Sequence, residues 1–303
     1  MEIKLRQPYS FCQLGKRSNQ EDARFPDMDA PRRCQPAFAV CDGVGGQAKG
    51  EVASRTVADA IGEYMQKADL GKPFGAEDFR KVLDHAYARL EKAMSRDTRD
   101  MATTMTFVAF HGGGVFCAHM GDSRIYHVRP GVGILYRSDD HSLVNALVHS
   151  GLITPEEAID HPQSNVITRC LTYVEPDHER PAATSIQITD VQPGDYFFLC
   201  SDGVVHCVDD DQLLAILSSD EDDSEKIRQL AEMSRNSADN NTAYLIGIED
   251  VAGNTLPREE AGKEETQNSN TARITSPGKV TQDISPSAPK SGKLTNFFKS
   301  LFK

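Results

Sequence analysis

The sequence predicts an α+β fold, on three observations. Short apolar runs recur through the first 250 residues at strand length. Two long helical stretches follow one another with no strand between them. The last fifty residues lose the apolar content that a core needs. A parallel α/β sheet would alternate strand and helix, whereas clustered helices beside a run of antiparallel strands point to segregated layers.

The strands are expected at Tyr9–Leu14, Pro36–Cys41, Thr104–Phe110, Val115–His119, Arg124–Val128, Thr184–Ile188, Tyr196–Cys200 and Thr242–Ile248. Each is rich in β-branched or aromatic residues and is bounded by Gly, Pro, Asp or Ser. Apolar residues at helical spacing predict helices over Glu51–Gln66, Ala76–Met94, the region near Leu143–Ser150, Asp210–Leu217 and Ser224–Arg235. The organisation expected is a folded unit over 1–250, a disordered linker over 251–292 and a short amphipathic helix over 293–303. The linker is dominated by Ser, Thr, Pro, Gly, Glu and Lys, so it cannot bury enough surface to offset chain entropy. In the final segment, Leu294, Phe297, Phe298, Leu301 and Phe302 share one helical face, with Lys293, Lys299 and Lys303 off it. That segment is shorter than the ~12–15 residues at which isolated helices become marginal, so it needs a surface to fold on. An anionic membrane surface or a groove on a partner would each serve.

Bulk composition excludes several classes. The formal charge of −12 disfavours nucleic acid as a partner. No run of about 20 apolar residues suits a membrane span, and the N-terminus lacks an apolar core before a small-residue cleavage site. The seven cysteines are odd in number, form no CxxC pair and sit mostly in apolar runs, so they are expected as reduced, buried thiols. A cytoplasmic location follows, with peripheral attachment at a membrane as one reading of the tail.

Acidic residues gather at strand boundaries: Glu21 and Asp22 after Arg17, Asp42 before Gly43, Asp122 after Gly121, Asp202 before Gly203, and Asp239 ahead of the last strand. Singly, each has a common structural explanation as a turn former, a cap or a surface ion pair. Together they are the residue types that hold hard cations, which take oxygen ligands. A pair of such cations can activate water toward a phosphate ester, with an Arg to grip the phosphate.

The strings RSNQEDA, FAVCDGVGGQAKGEVAS, ATTMTFVAF, AHMGDSRIYHV, SDDHSLVNALVHSGLIT, HPQSNVITRCL, DYFFLCSDGV and SADNNTAYLIGI run in order over roughly residues 8–249. This series resembles the protein phosphatase 2C family in its bacterial form. The resemblance implies a four-layer sandwich of two central antiparallel β-sheets flanked by helices. It implies a protein serine/threonine phosphatase using two Mn²⁺ or Mg²⁺ ions, with a third as a further expectation. It implies metal ligation by Asp42 as the bridging carboxylate, the Gly43 carbonyl, Asp202 and Asp239, with Glu21 acting through water and Asp122 with Asp202 at the weaker third site. Arg17 would bind the substrate phosphate, and a water bridging two ions would attack phosphorus without a phosphoenzyme. Phosphorylated proteins would be the substrates, and a cognate Ser/Thr kinase would be the opposing activity. Residues 139–180 would form a flap that helps to choose substrates.

One departure is Val44, where many eukaryotic members carry His, which leaves the proton donor to the leaving oxygen unassigned. His141 is expected to be structural, and so is His119. Rival readings are a metal-binding scaffold without turnover, an ion buffer and a hydrolase of small phosphate esters. The complete ligand set argues against the first, the absence of EF-hand spacing against the second and the absence of a P-loop against the third.

Overall fold

The structure is a computed structural model, and it describes residues 1–31, 36–44, 49–95, 99–159, 161–175 and 177–253. The linker and the C-terminal amphipathic segment expected from the sequence lie outside the described residues. Among the described residues no helix is long and apolar enough to cross a membrane.

The chain opens with β1 (Glu2–Leu5), β2 (Tyr9–Gln13), β3 (Asp22–Phe25) and β4 (Ala37–Val44), then α1 (Gly50–Met65) and α2 (Ala76–Ala93). There follow β5 (Ala102–Thr103), β6 (Met105–His111), β7 (Gly114–Met120), β8 (Arg124–Arg129) and β9 (Gly133–Arg137). Next come α3 (Leu143–His149), α4 (Pro155–Ile159), β10 (Leu171–Thr172), β11 (Thr184–Ile188) and β12 (Tyr196–Cys200). The described chain closes with α5 (Asp202–Val205), α6 (Asp210–Leu217), α7 (Asp223–Ser234) and β13 (Asn241–Ala252).

Two antiparallel sheets form. One runs β1-β13-β12-β8-β9, with β2 also paired to β13; the other runs β10-β5-β4-β6-β7-β11, with β3 also paired to β4. Their stacking follows from strand alternation, since successive side chains point to opposite faces. In β4, Phe38 and Val40 join the core between the sheets, while Ala37, Ala39 and Cys41 join the core beneath α1 and α2. In β12, Phe197 and Leu199 face the other sheet, while Tyr196, Phe198 and Cys200 face α5, α6 and α7. Three apolar layers therefore separate four structural layers, helices outermost, as the resemblance implies.

The helices are placed by the same logic. α2 buries Phe79, Val82, Ala86, Tyr87 and Leu90, one stripe of a 3.6-residue repeat. Gly62 of α1 faces the ring of Phe25, and a Cβ there would overlap it. At the start of α6 the Asp209 carboxylate accepts from the Gln212 amide (2.8 Å) and the Gln212 side chain accepts from the Asp209 amide (3.1 Å), a capping box.

A buried ionic cluster ties the first sheet to the turn before β12. Asp195, with no solvent exposure, accepts from Arg129 Nε (2.8 Å), Arg129 Nη2 (2.9 Å) and the Gln192 amide (2.9 Å). It also pairs with His127 Nε2 (2.9 Å), whose ring stacks flat on Phe197.

Candidate active site

The acidic residues singled out in the sequence meet at one end of the sandwich, and both sheets supply them. Glu21 precedes β3 and Asp22 opens it, Asp42 and Gly43 lie on β4, and Asp122 sits in the turn from β7 to β8. Asp202 opens α5 just after β12, and Asp239 precedes β13. Asp42 was expected just past its strand, yet β4 continues through Gly43 to Val44. Tertiary pairing overrides the turn signal: Gly43 and Val44 pair with Thr103 and Ala102 of β5. The Asp42 carbonyl accepts from the Thr104 amide (2.8 Å) and Thr103 Oγ1 (2.9 Å), and the Asp42 amide donates to Thr104 Oγ1 (3.0 Å). The backbone of Asp42 is thereby fixed while its carboxylate stays available.

Glycines bring the backbones together. Gly43 packs against Gly50, and a Cβ on either would overlap the other residue's backbone. A Cβ on Gly203 would overlap the Asn240 carbonyl, which is how Asp202 comes to lie beside the Asp239 loop.

The electrostatics are those of negative charge crowded out of water. Burial pushes the Asp42 carboxyl well above its usual range, and the charges of Asp22, Asp202, Asp122 and Asp239 push it further. Burial, then Asp202 and Asp140, raise Asp122 to about 7. Burial also raises Asp202, with His206 opposing and Asp239 adding. Glu21 is raised by burial and by the charge of Glu51. Asp202 Oδ1 is buried with no hydrogen-bond partner among the described residues. Every side-chain donor in this set is a carboxylate oxygen, the ligand type of Mg²⁺ and Mn²⁺. The residues therefore fit hard divalent cations, whose charge would offset the repulsion. Among the described residues no three such side chains already converge as a chelate. Asp239 shows one reason: its Oδ2 accepts from Arg17 Nη2 (2.6 Å) and its Oδ1 from the Asn240 amide (2.8 Å). Arg17, half-exposed, is among the described residues the guanidinium ion-paired to this carboxylate set, at the site's rim.

Two residues were not assigned from the sequence. Asp22 sits directly opposite Asp42 in the β3–β4 pairing and is buried. Its Oδ2 accepts from Ser201 Oγ (2.8 Å), its Oδ1 has no partner among the described residues, and burial raises it to about 7. Asn240, also buried, accepts at Oδ1 from the Glu21 amide (2.8 Å) and donates at Nδ2 to the Leu14 (2.9 Å) and Asn19 (3.0 Å) carbonyls. It staples the Arg17 loop to the Asp239 loop. The only signal for Asp22 was its place beside Glu21; a bridging Asn has no local signal.

His141 proves to be an anchor for the Asp122 turn. Its Nδ1 accepts from the Gly121 amide (3.2 Å) and its Nε2 meets Thr184 Oγ1 (2.9 Å). The ring stacks on His119 at 4.5 Å, and burial together with His119 and Arg169 lowers His141 to about 3. Both rings pack as structural histidines. Val44, half-buried on β4, brings no proton to the site.

Over residues 16–245 the chain matches the family described as Protein phosphatase 2C. A Streptococcus pyogenes serotype M6 protein named as protein phosphatase 2C-type is 33% identical over 238 residues, covering 76% of this chain and 92% of that one. The crystal structure of the Mycobacterium tuberculosis serine/threonine phosphatase PstP/Ppp is similar with a TM-score of 0.68 at 31% identity, covering 81% of this chain and 99% of that chain. A structure of the PstP catalytic domain in complex with two manganese ions is similar with a TM-score of 0.65 at 28% identity, covering 82% and 100%.

Proposed function

This chain belongs to the protein phosphatase 2C family and is a protein serine/threonine phosphatase; on that premise we propose which residues carry the reaction. The observation behind the reading is the crowded carboxylate set of buried Asp22 with half-buried Asp42, Asp122 and Asp202, whose charges repel one another. Asp42, the Gly43 carbonyl, Asp202 and Asp239 would hold two divalent cations, Mn²⁺ as in the PstP complex or Mg²⁺, with Glu21 acting through water. Asp122 and Asp202 would hold a third, weaker ion. When bound, such ions lower the pKa of water toward neutrality and offset charge on phosphoryl oxygens.

The chain's own residues do the rest. Arg17 stands at the rim, where its guanidinium can turn from Asp239 to the incoming phosphate and bind two of its oxygens. Water adds to phosphorus, the ester P–O bond breaks, and the products are a free hydroxyl and inorganic phosphate, with no phosphoenzyme. Val44 carries no exchangeable proton, so the leaving oxygen takes its proton from water. The substrates are phosphorylated proteins, and the enzyme reverses a Ser/Thr kinase.

The direct test is hydrolysis of a phosphothreonine peptide in Mn²⁺, in Mg²⁺ and in EDTA. Turnover should vanish in EDTA and return with Mn²⁺; full turnover in EDTA would sink the reading. Arg17→Ala is expected to raise KM about tenfold or more, since a charge-assisted hydrogen bond contributes about 1.5–3 kcal/mol. An unchanged KM would remove Arg17 from phosphate binding. Asn240→Ala should raise the Mn²⁺ concentration for half-maximal activity about 10–100-fold, the usual cost of losing a residue that orients ligands. Titration of activity against Mn²⁺ checks it, and an unshifted midpoint would reduce Asn240 to a loop staple.

A further inference from the structure

A groove of about 1120 Å³ runs along α2, opposite residues 173–185. Small-molecule clefts span about 300–1,000 Å³, so this one is larger and suits a polypeptide segment. Its apolar surface includes Leu83, Val174 and Ala183, each half-buried against the core beneath the helices. Its charged lining has five carboxylates, Glu77, Asp84, Glu91, Glu175 and Glu179, against the guanidiniums of Arg80, Arg169 and Arg180. Arg180 lies over the Tyr87 ring at 4.9 Å and pairs with Glu91 (2.7 Å) and Asp84 (3.5 Å), while Glu77 pairs with Arg80 (2.8 Å) and Glu175 with Arg99 (3.6 Å), so among the described residues Glu179 is the lining carboxylate left without an ion pair. Tyr87 also lines it, and its buried hydroxyl has no partner among the described residues.

The described chain ends beside this groove. Gly253 abuts Met1, whose ammonium donates to the Gly112 carbonyl (2.9 Å), and the Gly112 amide donates to the Leu70 carbonyl (2.9 Å). Leu70 precedes the loop that enters α2 at Ala76, where the groove begins. Residues 254–292 connect that point to the segment at 293–303, and a flexible chain of that length has an end-to-end distance of roughly 35 Å. That segment carries Lys293, Lys299 and Lys303, no acidic residue, and five large apolar side chains at helical spacing.

We propose that residues 293–303 dock within the same molecule in the groove between α2 and residues 173–185. Their apolar side chains meet Leu83, Val174 and Ala183, and their lysines meet Glu179 and the paired carboxylates beside it. The pairing is the helix-in-groove mode, with short-range charge complementarity fixing the orientation. It stands independently of the phosphatase mechanism. The groove's far wall connects to the carboxylate site through β10, β5 and Gly43 of β4, and through Thr184 and His141 to the Asp122 turn.

The test uses the full chain. With benzoylphenylalanine in place of Phe298, irradiation should give cross-links within one molecule to α2 or to residues 173–185. Hydrogen exchange should read the same contact: Phe297→Asp with Phe298→Asp should speed exchange over those two segments about tenfold, the change that a lost 1.4 kcal/mol gives. Glu77→Lys with Glu179→Lys should remove the cross-link and speed exchange in the same places. Cross-links joining two chains, cross-links elsewhere, or exchange unchanged by the tail variant would each overturn the proposal. So would binding of the full chain to phosphatidylglycerol vesicles through the same phenylalanines with no change of exchange in the groove.

Discussion

Asp42→Asn is expected to lower Mn²⁺-dependent hydrolysis of a phosphopeptide by about 10³-fold, while the metal-free protein stays folded. Asp42 is the half-buried carboxylate on which the charges of Asp22, Asp202, Asp122 and Asp239 all press. A divalent ion contributes several kcal/mol of transition-state stabilisation, and each 1.36 kcal/mol is tenfold in rate. Asparagine is nearly isosteric and keeps one carbonyl oxygen, and the backbone bonds to Thr103 and Thr104 do not depend on the carboxylate. Removing one of several repelling charges should leave the metal-free melting temperature unchanged or higher. Mn²⁺, which stabilises whatever native state binds it, should then raise the melting temperature of the parent but not of the variant. Activity within threefold of the parent, or an undiminished Mn²⁺ shift, would rule Asp42 out as the central ligand.

The largest effect on stability is expected at Asp195→Ala. The substitution strands the buried His127, takes the buried carboxylate from Arg129 and leaves it only the exposed Asp190, and leaves the Gln192 amide without its acceptor. Breaking a buried pair by removing one member costs about 3–5 kcal/mol. For a domain of this size each kcal/mol moves the melting temperature by about 2–4 °C, so a fall of roughly 10 °C is expected. Burial pushes the Asp195 carboxyl up, but Arg129 and His127 outweigh burial and the net shift is downward. A carboxyl depressed in the folded state contributes its stability above its unfolded value near 4 and loses it as pH falls through the lower folded value. The gap between parent and variant should therefore be full at neutral pH and shrink below about pH 4. Urea midpoints across that range decide it, and a gap that is constant or widens on acidification would refute the charge role. Activity per folded molecule should be kept, because the cluster touches no residue of the carboxylate site.

The parts of the fold legible in the sequence are those governed by local periodicity. Thr184–Ile188, Tyr196–Cys200 and Asp210–Leu217 have the bounds expected of them, and α1, α2 and α7 begin or end within a residue or so of expectation. β5 and β10 were not legible, because a two-residue strand has no period and exists only through its pairing. β3 was hidden for a related reason: its run DARF mixes charge with apolar residues because Asp22 faces the carboxylate site while Arg24 is buried against Ser10 and Asp29. For the candidate site, the sequence carried the residue types and the strand-end positions. It did not carry the Arg17–Asp239 ion pair or the Asn240 staple, both of which join residues more than 200 positions apart.

The carboxylates come from both sheets across the open end of the sandwich. A site borne on one loop can fluctuate with that loop. Here Asp42 rides on one sheet and Asp202 and Asp239 on the other, so their separation is set by how the sheets slide on the layer of Phe38, Phe110, Phe197 and Tyr244. Aromatic packing some distance from the chemistry thus acts as the gauge block of the site. A cavity cut into that layer would detune the spacing of the carboxylates before it unfolded the protein, and ion affinity would register the damage ahead of the melting curve.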